Sequence, residues 1–90
     1  MRFQKGKFET CASPRMARRL YRRSLAGESL EEHACCQSAC GILEGARDRI
    51  YVWLEDSQGF FYYTIYDSLD EARAAFLDFV TSHTECEADL

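Results

Sequence analysis

The sequence predicts an α+β fold: two N-terminal helices, an antiparallel β-hairpin in a small two- or three-stranded sheet, and a C-terminal amphipathic helix. Three observations carry the prediction. Residues 50–55 and 60–66 are runs rich in β-branched and aromatic residues, separated by Asp56-Ser57-Gln58-Gly59, as in a hairpin. Ser29-Leu30-Glu31-Glu32 and Ser68-Leu69-Asp70-Glu71 both read as capping boxes that open helices. Ser13-Pro14 and Gly27 bracket a run with helical periodicity.

Taken in order, residues 1–12 form an arm or an edge strand, with Phe3 and Phe8 on opposite faces if extended. Residues 13–26 form the first helix, with an apolar stripe of Met16, Ala17, Leu20, Tyr21 and Ser24. A second helix is expected over 29–44, apolar nearly all round through Ala34, Cys35, Cys36, Ala39, Cys40, Ile42 and Leu43, and therefore central. The hairpin occupies 49–67. A four-residue loop pairs Glu55 with Phe60, so that Leu54 faces Phe61, Val52 faces Tyr63 and Ile50 faces Ile65 across the core face. The third helix covers 68–83, and its stripe of Leu69, Ala72, Phe76, Phe79 and Val80 is expected to lie on that face. Residues 84–90 are an acidic tail expected to fray. A hairpin alone is marginal, which calls for a third strand from residues 2–10 or from a second chain.

Ninety residues make one domain, which buries roughly 60–65% of its unfolded surface and leaves no room for a cleft between lobes. The basic N-terminus lacks the apolar stretch of a signal peptide, and no apolar run approaches the ~18–20 residues of a membrane span. The five cysteines are odd in number and three of them crowd into residues 35–40, which fits free thiols in a reducing compartment. The expected location is cytoplasmic. Charge is polarised: residues 1–27 carry a net +7 and residues 28–90 a net −11, a statement about partners or self-assembly rather than fold.

Three constellations can carry function. Arg15, Arg18, Arg19, Arg22 and Arg23 crowd one short helix with Tyr21. They can pair with an acidic protein, with nucleic-acid phosphates, or with the chain's own acidic half. On the second face of the hairpin, the same register gathers Tyr51, Trp53, Phe60, Tyr62 and Tyr66, the residue types enriched in protein interfaces. That surface is open to a partner only if the first two helices do not cover it. On a helix, His33, Cys36 and Cys40 fall within one stripe. They are core packing residues or zinc ligands, the latter with Cys11, His83 or Cys86 completing the set.

No complete catalytic set is present. A phosphate-cradling Gly loop and the HExxH and GxSxG motifs are missing, and the acidic pairs of the capping boxes are explained by helix termini. The sequence thus points to a non-catalytic small binding protein without a cofactor, a regulator or inhibitor acting by occluding a partner protein. The first alternative is a nucleic-acid-binding protein using the arginine helix, and the second is a small zinc-stabilised regulatory domain. Homodimerisation is compatible with all three.

Overall fold

The computed structural model describes residues 13–35 and 38–82. Pro14–Leu25 form α1, Glu31–Cys35 β1, Ser38–Glu44 β2, Ile50–Glu55 β3, Phe61–Tyr66 β4 and Leu69–Ser82 α2. The strands make one antiparallel sheet in the order β1-β2-β3-β4. The class is therefore α+β as the sequence predicts. The expected arm and tail, residues 1–12 and 84–90, lie outside the described residues.

The boundaries of α1 follow its capping chemistry. The Ser13 hydroxyl accepts the Met16 N–H at 3.2 Å, and Pro14 fills the first helical position. At the other end, Gly27 takes φ +79°. Its N–H donates to Ser24 O and that of Glu28 to Arg23 O, each at 3.1 Å, as in a Schellman motif. Ala17, Leu20 and Tyr21 are buried, with Met16 and Ser24 half-buried, so the stripe read from the sequence is the packed one.

The expected helix over 29–44 is instead the β1–β2 hairpin. Cys35 pairs with Ser38 and Glu31 with Ile42. Residues 36–37, between the strands, lie outside the described residues. An apolar run fits a central helix and a strand buried on both faces equally well, and periodicity does not separate the two. β2 is the second kind: Cys40 and Ile42 join one apolar layer, Leu43 and the half-buried Ala39 the other. The Ser29 hydroxyl does not cap a helix; it accepts a hydrogen bond from Trp53 Nε1 at 3.1 Å.

The β3–β4 hairpin forms where expected but with a shifted register. Glu55 faces Phe61, Trp53 faces Tyr63 and Leu54 faces Tyr62, one residue from the expected pairing. The loop is shorter than the sequence reading gave. Gly59 N donates to Asp56 O at 3.0 Å and Asp56 N to Phe60 O at 2.9 Å, with Gly59 at φ +89°. This is the three-residue loop with a glycine bulge. Asp56 Oδ1 fixes it by accepting the N–H groups of Gln58 and Phe60 at 3.0 and 2.9 Å. Since side chains alternate, a slip of one residue exchanges the faces of β4. Phe61 therefore packs beside Trp53, and Tyr62, Thr64 and Tyr66 share the face of Ile50, Val52 and Leu54.

Both faces of the sheet are covered. Ala17, Leu20 and Tyr21 of α1 pack on Leu43, Tyr51, Trp53 and Phe61. Ala72 and Phe76 of α2 pack on Cys40, Ile42, Ile50 and Val52, with Phe79 and Val80 half-buried beside them. The Ser68 hydroxyl accepts the Glu71 N–H at 3.2 Å, which is the cap read from the sequence. Arg73 of α2 donates through Nε to Glu31 of β1 at 2.8 Å and ties the helix to that edge of the sheet.

Candidate functional site

The aromatic surface is used inside the fold. Trp53 and Tyr51 are 5% exposed and lie beneath α1, so neither stands on an open face. The Trp53 ring stacks on Phe61 with centroids 5.8 Å apart, and Tyr21 meets Phe61 edge-on at 5.4 Å. The remaining members of the aromatic set are on or beside β4: Tyr62 is exposed, while Phe60 and Tyr66 are half-buried. The β4 register separates them from Trp53 and Tyr51, which the sequence reading had placed on one surface.

The His/Cys constellation is rearranged. His33 and Cys40 are cross-strand partners on β1 and β2, and Cys36 lies outside the described residues. Among the described residues, no group of three or more metal-ligating side chains is assembled. His33 Nε2 is buried with no hydrogen-bond partner among the described residues. Burial pushes the Cys40 thiol up from 9.0 to about 11, which disfavours the thiolate that a nucleophile or metal ligand requires. The folded state thus keeps a proton that the unfolded chain releases. Its contribution to stability is complete below pH 9 and is lost as pH rises toward 11, by up to about 1.4 kcal/mol per pH unit. Chemical denaturation between pH 8 and 11 is expected to show a shallower alkaline loss in Cys40→Ala than in the wild type.

The arginines crowd the exposed side of α1. Arg15, Arg18, Arg19 and Arg22 are exposed, and Arg23 is half-buried. Arg23 Nε donates to Glu28 Oε1 at 2.8 Å. The other four form no ion pair with any described residue. The acidic half of the chain therefore leaves most of this helix face unneutralised within the described residues. A turn that sequence reading did not single out adds to it. Arg49 N donates to Ala46 O at 3.2 Å, and the central residues Arg47 and Asp48 take φ 58° and 61°. Both central residues at positive φ is the pattern of a type I′ turn, which suits the twist of the β2–β3 hairpin. The turn brings Arg47 and Arg49 to a cleft that Arg19 and Arg23 line from α1. The only sequence signal for it was the Gly45-Ala46-Arg47-Asp48-Arg49 stretch between two strands, one of which was read as a helix.

Comparison of the chain with protein-family models, curated proteins and solved structures finds no match. Among the described residues, no helix is long and apolar enough to cross a membrane.

Proposed function

We propose that the chain is a non-catalytic binding protein, a regulator or inhibitor that occludes a partner protein by docking an acidic surface of that partner on the arginine face of α1. The observation that supports this most is the state of Arg15, Arg18, Arg19 and Arg22: exposed and without an ion pair to any described residue. They ride on a helix whose ends are fixed by Ser13 and Gly27 and whose other side is locked into the sheet. The fixed backbone of α1 spaces these arginines in a row, and the planar guanidinium fork suits bidentate pairing with carboxylates. The row also steers association with an acidic surface. Tyr62, exposed on β4, supplies a secondary aromatic contact.

Nucleic-acid binding is the second reading. Its specific support is that Arg47 and Arg49 extend the basic surface beyond α1, and that nine of the chain's eleven Lys and Arg residues are arginine, the side chain suited to bidentate phosphate contacts.

One experiment separates the two readings. The full chain is used to capture material from native lysate with and without nuclease, beside the triple variant Arg15→Gln, Arg18→Gln, Arg22→Gln. The protein reading expects a protein that survives nuclease and is lost with the triple variant. Retention of nucleic acid alone, with affinity falling steeply as salt rises, would select the second reading. Capture unaffected by the triple variant would dismiss the arginine face altogether.

A further inference from the structure

We propose that the cleft between α1 and the β2–β3 turn is a binding site for a single phosphate monoester dianion. The cleft has a volume of about 380 Å³ and is lined by Arg19 and Arg23 from α1, by Arg47 and Arg49 from the turn, and by Met16 and Tyr51 among its apolar residues. Four arginines from two separate elements line one cleft, one of them, Arg23, also bonded to Glu28, and a doubly charged anion there would accept several charge-assisted hydrogen bonds. Arg19, Arg47 and Arg49 have no ion pair with a described residue, so no described carboxylate takes up their donors. Arg47 lines the cleft from the first central position of the turn, whose φ of 58° is the one a type I′ turn requires.

The surroundings favour one isolated dianion over a chain of phosphates. Asp48 adjoins the two turn arginines in sequence and Glu28 is bonded to Arg23. Carboxylates so placed oppose a polyanionic backbone running past the cleft, yet the four arginines lining it outnumber them. The dianion's carrier is a phosphorylated side chain or a small phosphate ester, both of which present the same group. The site goes beyond the protein-partner reading and shares only Arg19 and Arg23 with the helix face.

The test is a set of amide NMR titrations of the full chain with inorganic phosphate, at ionic strength matched with chloride, followed by phosphoserine and adenosine monophosphate. Inorganic phosphate is expected to shift the amides of residues 45–49 saturably. Arg47→Gln combined with Arg49→Gln is expected to weaken binding about tenfold or more, and Arg15→Gln combined with Arg18→Gln to leave it unchanged. The second proton of a phosphate monoester has a pKa of about 6, so affinity should fall between pH 7 and 5 for phosphoserine and hold for sulfate. Tighter binding of phosphoserine or of adenosine monophosphate supports the site and identifies the carrier. Shifts that never saturate, that chloride reproduces, or that survive loss of Arg47 and Arg49 overturn it. So does binding of an oligonucleotide without binding of phosphate. Because Arg47 and Arg49 lie outside α1, a failed phosphate titration leaves the partner-capture result standing, and the converse holds.

Discussion

Phe61→Ala is expected to destabilise the protein by about 3–5 kcal/mol, while Tyr62→Ala costs less than about 1 kcal/mol. These neighbours on β4 differ because the sheet puts them on opposite faces. Phe61 is fully buried, stacked on Trp53 with an interplanar angle of 14° and met edge-on by Tyr21 at 86°. It joins α1 to the sheet, and its removal leaves a cavity between rigid aromatic rings that cannot collapse to fill it. Tyr62 is 37% exposed. The loss at Phe61 is a large part of the ~5–15 kcal/mol that stabilises a typical domain. Urea denaturation followed by the fluorescence of Trp53, the one tryptophan of the chain, measures both variants. A double-mutant cycle between Phe61→Ala and Trp53→Leu, followed by far-UV circular dichroism because the tryptophan is removed, is expected to give a coupling of about 0.5–1.5 kcal/mol. Were the register shifted by one residue, the two rings would lie on opposite faces and the coupling would vanish. Equal costs at positions 61 and 62 would also contradict the observed register.

What sequence made legible was set by local chemistry. Ser13-Pro14 and Gly27 delimit α1, and Ser68 opens α2, because these residues act on the few backbone groups next to them. The β3–β4 hairpin was legible from residue type. Its register was not, since the number of loop residues turns on whether Gly59 belongs to the loop or pairs as a bulge; a two-hydrogen-bond contact from Asp56 decides this. The segment 29–44 was misread for a different reason. Ser29-Leu30-Glu31-Glu32 is a competent helix start taken alone, but tertiary packing overrides it: Trp53 takes the Ser29 hydroxyl, and Arg73 from α2 takes the Glu31 carboxylate. Neither partner is near in sequence. The same distance hid the arginine cleft. Residues 19–23 were visible as a basic helix, but their meeting with Arg47 and Arg49 requires β2 to be a strand that turns at residues 46–49.

Gly41→Ala is the second large effect, and it tests why a glycine sits in the central strand β2. A Cβ at this position would lie 2.5 Å from Trp53 Nε1 and 2.6 Å from each of Cε2 and Cζ2. Cross-strand pairing sets Gly41 directly opposite Trp53, and the bare backbone lets the indole lie flat across β2 to reach Ser29 on the far side. The ring has no room to retreat, since Phe61 stacks on it and it is 5% exposed. Alanine must therefore displace the indole, losing both the Ser29 hydrogen bond and the Phe61 stack. Overpacking of this kind costs about 1–3 kcal/mol, and the lost hydrogen bond adds on the order of 1 kcal/mol. Ordinarily a glycine-to-alanine change in a strand interior gains roughly 0.5–1 kcal/mol, so even the sign of the result is diagnostic. Gly27→Ala separates steric from conformational cost, because Gly27 has open space around it but φ +79°. Its penalty should be near the ~1 kcal/mol of left-handed backbone alone. Adding Trp53→Phe to Gly41→Ala should recover part of the loss, because the smaller ring no longer spans the strand. If Gly41→Ala proves neutral, or if its cost is unchanged in the Trp53→Phe background, Trp53 does not lie across Gly41, and the link it makes between β3 and Ser29 fails with it.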